Sequence, residues 1–357
     1  MRRALFQLHL WVGVGAGVYV AVIAITGAAL VFRIDLQRAW HPHVFTARTP
    51  GPLSDPVAIL ESVARAYPGH RVSGVDAPTT SRPTYLAYVT QGPQFKTILI
   101  DPVSAEMLGE LPERSLVRTL QDLHYDLLGG RTGRTINGAG AAAVVILGLT
   151  GVVIWWPGRR AWWRAFGVDT SRQGYRFWWE VHRAAGIWSV LLILMWALTG
   201  LYFAFPQEAR SLIAAIAPIS PSRTPISSVR AENADEPSWR AMIDRARQIH
   251  PDGHVARVVL PFGERGSFLV MFANRSPTPA YAELDSVYLD RFTGEHLRHD
   301  ASRTVGDTIV RSMSTLHAGS FGGAPVRVVW FVFGLMPVLL FASGIVVWWN
   351  RTIRRRP

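Results

Sequence analysis

The sequence predicts a membrane α+β protein in which a unit of two spans and one polar α+β domain is built twice. Three observations lead there. Four apolar runs, at about 8–32, 138–156, 177–205 and 326–349, are long enough to cross a bilayer. The two long polar stretches between them carry helix and strand patterns in the same order. The spacing of histidine, glycine and Trp-Trp within the spans repeats from one half of the chain to the other.

The expected division is a first span within 1–33, a polar domain at 34–137, a second span at 138–157 and a loop at 158–176. A third span at 177–205, a second polar domain at 206–325, a fourth span at 326–349 and a tail at 350–357 complete it. The first run is too long for a signal peptide and lacks a clean small-residue cleavage site, so it reads as a span. Arg2 and Arg3 precede it. Arg159, Arg160, Arg164, Arg172 and Arg176 fill the loop between the second and third spans, and Arg351, Arg354, Arg355 and Arg356 follow the fourth. The positive-inside rule makes these segments cytoplasmic, with both termini inside and both polar domains on the far side. Trp155-Trp156 and Trp348-Trp349 end their spans as an aromatic belt would.

The net charge of +12 invites a nucleic-acid reading, but the arginines flank apolar runs instead of gathering with stacking groups. The lipid bilayer is the expected partner and nucleic acid is not. The absence of cysteine excludes disulfides, thiolate metal sites and haem attached through Cys-x-x-Cys-His. No Ser/His/Asp arrangement, phosphate loop or dinucleotide fingerprint is legible.

In the first polar domain, 53–69 reads as an amphipathic helix capped by Ser54 or Asp55, with Pro56 in its first turn and Gly69 at its end. RVSGV, TYLAYVT and FKTILID read as three strands, a turn begins at Asp101, and a second helix covers about 115–128. The second domain repeats this: a helix at 237–251, three strands, a turn from Asp290 and a helix at about 302–318. Each domain is expected to form its own small antiparallel sheet with a helix packed on it.

The spans carry the chemistry. His9 and His182 each have a Gly four residues on and Thr-Gly ending eighteen residues on. His124 and His317 each have Gly-Gly five and six residues on, a Gly at 27 and Trp-Trp from 31. One histidine on an apolar face is usually a hydrogen-bonded core residue. Four at matched offsets, two near each membrane face, point instead to axial ligands of haem. Height pairs His9 with His182 and His124 with His317. Two imidazoles per iron fill both axial positions, which favours electron transfer over oxygen binding. Gly13, Ala16, Gly17 and Ala24 share a side with His9, and Gly186, Ser189 and Ala197 with His182, which suits either a flat guest or close helix packing. Gly27 and Gly200, level with the other pair, are expected to make room for a macrocycle edge.

Arg3 and Arg176 lie six residues before their histidines; Arg134 and Arg327 lie ten after theirs. All four are candidates for holding haem propionates, Arg3 and Arg176 being equally explained by positive-inside charge. His41, His43, His70, His250, His254, His296 and His299 read as solvated surface residues, with a weak metal or substrate contact as the alternative for His41 and His43.

Leu8-His9, Thr26-Gly27, Leu123-His124, Gly151-Val152 with Trp155-Trp156, Val181-His182, Thr199-Gly200, Leu316-His317 and Gly344-Ile345 with Trp348-Trp349 together resemble the PepSY-associated transmembrane family of bacteria. The turns at Asp101 and Asp290–Glu295 resemble the PepSY strand-turn signature. The resemblance implies two periplasmic PepSY-like domains, an inner-membrane location and a part in iron uptake. It includes dihaem reductases of ferric siderophores. On that reading the chain holds two b-type haems, takes electrons from an unidentified cytoplasmic or membrane donor, and reduces a ferric siderophore or other ferric chelate. No substrate-contacting residue is named by it. The alternatives are a transporter of the metal complex, or a non-enzymatic PepSY-type peptidase-binding or assembly module.

Overall fold

The computed structural model describes residues 2–92, 94–159, 161–220, 224–229, 236–276, 284–300 and 304–352. Arg160, Arg354, Arg355 and Arg356, and most of the expected tail, lie outside them. The chain forms two compact units. One comprises 1–33, 116–219 and 305–357; the other comprises 34–115 and 220–304.

The first unit holds the four helices long and apolar enough to cross a membrane: Arg2–Leu30, Gly130–Trp155, Tyr175–Ala204 and Gly323–Thr352. The last is interrupted. It runs as Gly323–Gly334 and Met336–Thr352. Pro337 has no N–H to give and its ring opposes helical continuation, so the break falls just before it. Two shorter amphipathic helices, Leu116–Asp126 and Val305–Ala318, carry His124 and His317. The sequence places these helices with the polar domains at 34–137 and 206–325. The structure packs both with the spans, because their apolar stripes find partners there: Leu116–Asp126 against the first two spans, Val305–Ala318 against the third.

The second unit corrects the expectation of two separate sheets. It contains eight strands: β1 (Arg71–Asp76), β2 (Tyr85–Gln91), β3 (Gln94–Ile100), β4 (Met107–Leu111), β5 (His254–Val259), β6 (Phe268–Ala273), β7 (Asp285–Leu289) and β8 (His296–Asp300). They form one antiparallel sheet in the order β4-β3-β2-β1-β5-β6-β7-β8. Each half therefore adds a fourth strand to the three expected. β4 and β8 are short edge strands, Met-Leu-Gly-Glu-Leu and His-Leu-Arg-His-Asp, and neither has the β-branched run that marks a strand.

The halves join where β1 pairs with β5. Gly74 makes the approach possible: a Cβ there would lie 2.3 Å from the Val258 carbonyl oxygen, and its φ of +156° favours glycine. Beside it Asp76 accepts two hydrogen bonds from Arg257, at 2.5 and 2.7 Å, and one from the Tyr88 hydroxyl at 2.9 Å. One face of the sheet is covered by helices Pro56–Ala66 and Trp239–Ile249, which bury Ile59, Leu60, Met242 and Ile243 against Ala87, Ile98, Val270 and Val287. Asp55 caps the first helix through Val57 N–H and Ser238 the second through Ala241 N–H. On the other face Val44 and Phe45 pack on Leu99 and Leu108.

The two turns are built alike. Asp101 accepts the N–H groups of Val103 and Ser104 within its own turn and of Arg48 and Thr49 from a distant segment. Asp290 does the same with Phe292 and Thr293, and with Ser228. Burial raises both carboxyls' pKa, but the backbone donors outweigh it and hold both below the ordinary carboxylate value.

Candidate cofactor site: two histidine pairs

The first and third spans run side by side with the second and fourth, and the pairing of histidines follows from their heights. His9 and His182 meet, with ring centres 6.3 Å apart and planes at 90°. His124 and His317 meet, with ring centres 6.1 Å apart and planes at 57°. Two imidazoles binding one metal ion through Nε2, at about 2 Å each, have ring centres about 6 Å apart. Along the first span, His9 and Thr26 (which touches His124) are separated by a rise of about 25 Å. The two pairs thus sit near opposite ends of the bundle.

All four rings are held by the same device. His9 Nδ1 lies 3.0 Å from Thr150 Oγ1, His124 Nδ1 3.1 Å from Thr26 Oγ1, His182 Nδ1 3.1 Å from Ser343 Oγ, and His317 Nδ1 2.7 Å from Thr199 Oγ1. Each of these hydroxyls spends its own proton on the carbonyl one turn back, at Ile146, Val22, Leu339 and Met195 respectively. A hydroxyl so committed offers only a lone pair, so the imidazole must donate Nδ1–H to it. His124 and His182 also have carbonyls within reach of Nδ1, those of Ile23 at 3.1 Å and Leu340 at 3.0 Å. In every case the arrangement selects the tautomer with a bare Nε2, the form in which histidine ligates a metal.

A glycine follows each hydroxyl residue. A Cβ at Gly27 would lie 2.7 Å from His124 Cε1, at Gly151 3.3 Å from His9 Cε1, and at Gly344 3.4 Å from His182 Cε1. Three of the four glycines therefore seat a histidine ring. The fourth, Gly200, meets Ala141 at 3.7 Å. The sequence shows Thr26-Gly27 and Thr199-Gly200 as span markers. Thr150 and Ser343 escape notice although the same dipeptide pattern, hydroxyl then glycine, recurs at all four places.

Between His124 and His317 opens a cavity of about 450 Å³, with mainly apolar walls that include Val20, Ile23, Val144 and Ile193. Gly27 and Gly200 both line it. Arg134 lines it too, together with Arg33, which the spacing of repeats does not reveal. Arg327 is not among the lining residues; its guanidinium lies 5.1 Å from the centre of the Phe32 ring. Arg3 and Arg176 are exposed at the His9/His182 end. There Arg2, not Arg3, donates to the Ile154 and Trp156 carbonyls. Of the small residues near His9, Gly17 packs on Phe341, where a Cβ would lie 2.1 Å from that ring, so it serves helix contact. Gly13 and Gly186 have no neighbour nearer than 3.7 Å to such a Cβ.

The helix carrying His124 is tied down by Asn137, whose Nδ2 donates to the His124 carbonyl at 2.8 Å while Tyr19 donates its hydroxyl to Asn137 Oδ1. The helix carrying His317 is tied by Trp196, whose indole N–H donates to the His317 carbonyl at 3.0 Å. The duplication conserves the histidine and its hydroxyl while the support around them differs.

The chain belongs to the PepSY-associated TM region family. The family model matches residues 6–351, nearly the whole chain. No curated protein matches the sequence. Family membership and the four apolar helices make this a multi-pass membrane protein.

Proposed function

We propose that this PepSY-associated membrane protein is an electron-transfer oxidoreductase that holds two b-type haems and reduces ferric chelates, ferric siderophores among them, on the periplasmic side of the bacterial inner membrane. The observation that carries the reading is the pair of ring separations, 6.3 and 6.1 Å, with all four Nε2 atoms left bare by the Nδ1 contacts. Lone structural histidines have no reason to meet twice at one metal-sharing distance. Haem held in this way would supply a one-electron couple.

The chain's own residues divide the work. His9 with His182, and His124 with His317, would hold the two haem irons. Thr150, Ser343, Thr26 and Thr199 orient the imidazoles and fix the tautomer. The apolar walls keep water from the site near His124 and His317. Arg134, with Arg33, stands where carboxylates of a cofactor in that cavity are met. Arg327, Arg3 and Arg176 are weaker candidates for the same task. The arginine-rich end, with Arg2, Arg164, Arg172 and Arg351, faces the cytoplasm by the positive-inside rule and receives the electron donor. Reduction of ferric to ferrous iron lowers the metal's charge and so its hold on hard oxygen ligands.

One observation favours a transporter instead: the break before Pro337 lies beside the cavity, and broken helices line transport sites. A single experiment separates the readings. Protein purified from haem-replete cells is expected to show a Soret band that shifts on reduction. His9→Ala and His182→Ala should each remove the same spectral component and leave the other. A colourless preparation rules out the haem reading, and loss of one component by both His9→Ala and His124→Ala rules out the pairing.

A further inference from the structure

We propose that His250, His299 and Asp285 form a binding site for a divalent transition-metal ion in the eight-stranded sheet, with the two imidazoles as principal ligands. The site stands apart from the haem reading and uses none of its residues.

The fold brings the three together through strand register. His299 in β8 lies opposite Val287 in β7, and Asp285 is two residues before Val287. Alternate residues of a strand share a face, so His299 and Asp285 sit diagonally on the face where Val287 is buried. Helix Trp239–Ile249 packs on that face and ends with His250 as its C-cap. The His250 and His299 ring centres are 5.2 Å apart, and His250 Nε2 is 3.7 Å from Asp285 Oδ2. His250 is wedged against Phe272, 5.0 Å between ring centres, and against Gly253, where a Cβ would lie 2.8 Å from its Nε2. Its ring is positioned before any ligand arrives.

Surface solvation does not explain these two histidines. His250 Nε2 and His299 Nε2 are both buried and, among the described residues, neither makes a hydrogen bond. Buried polar atoms without partners are rare and call for an ion or a water. An ion pair between His250 and Asp285 leaves His299 unexplained. Two imidazoles and a carboxylate suit Zn²⁺, Fe²⁺ or Cu²⁺, and not Mg²⁺ or Ca²⁺, which want oxygen alone. No three such side chains among the described residues already surround one point. Binding therefore draws the carboxylate in and leaves further positions to water.

The test uses the full chain in detergent, stripped of loosely held metal and titrated with Zn²⁺ by calorimetry. Wild type is expected to take up one Zn²⁺ at this site. His250→Gln and His299→Gln should each weaken it by about tenfold or more, the range lost even when an outer-shell partner of a metal is removed. Asp285→Asn, nearly isosteric, should weaken it less and keep the melting temperature without metal. His41→Gln with His43→Gln removes a separate histidine pair, whose ring centres are 6.5 Å apart, and should change nothing. No Zn²⁺ uptake by wild type, uptake unaltered in both His250→Gln and His299→Gln, or uptake lost only with His41 and His43, overturns the proposal. A colourless protein that still shows the expected Zn²⁺ pattern sinks the haem reading alone.

Discussion

At the scale of single residues, a hydroxyl decides how each histidine is presented. Thr150→Val keeps the volume but removes the acceptor for His9 Nδ1–H. It should weaken cofactor retention at that pair by about 10–100-fold, the usual effect of losing an outer-shell partner, while sparing the His124/His317 component. Spectra of the purified variant during transfer of haem to an apo-acceptor check this. Gly27→Val should do more at the other pair, because its Cβ begins 2.7 Å from His124 Cε1 and the ring has to move. Loss of that spectral component alone is the expected reading. Asp101 supports a different property. Its pKa is depressed, so its stabilisation is present above the ordinary carboxylate value, near 4, and is lost as pH falls below it. Asp101→Asn should cost about 2 kcal/mol at neutral pH, since its charged hydrogen bonds are replaced by weaker ones. The gap to wild type should narrow as pH falls from the ordinary carboxylate value towards the depressed one, which unfolding at pH 7 and pH 3 checks. The histidine pairs were legible at this scale because matched offsets on parallel spans put imidazoles at matched heights. Thr150 and Ser343 were harder to see, since what makes them matter is a contact with a different span.

At the scale of elements, periodicity located the spans and the capped helices well. Asp55 and Pro56 start their helix where turn chemistry requires it. The strands were less complete. β4 and β8 are held by one neighbour each, so their residues need only pair, and their composition carries little signal. The two histidine-bearing helices were found, but which unit they pack with was not, because an apolar stripe says that a face is buried and not against what. The break in the fourth span has a foreseeable consequence. Pro337→Ala restores an N–H and relieves the clash with the preceding turn. It should straighten the helix beside the cavity and shift the absorption of the His124/His317 component without touching the His9/His182 one, which low-temperature difference spectra resolve.

At the scale of the whole molecule, duplication is carried through both units: two histidine pairs in one, two four-stranded halves in the other. The sheet is continuous only because β1 meets β5, with Gly74 allowing the approach and Arg257 bound to Asp76 across the seam. Arg257→Met leaves the Asp76 carboxylate without its partner. It should destabilise this unit by about 1–2 kcal/mol, since Asp76 is buried while Arg257 is half exposed, and Asp76→Leu with Arg257→Met should recover much of the loss. Thermal unfolding of the single and double variants measures it. The sequence alone determined the four spans, the doubled plan, the cysteine-free chemistry and the matching of histidines by height, because each follows from composition or from spacing along one chain segment. Tertiary structure alone decided that the two sheets are one, that four hydroxyls set the tautomer of four histidines, and that His250 and His299 are buried together. Those depend on contacts between residues far apart in the chain, and such contacts leave no period behind them.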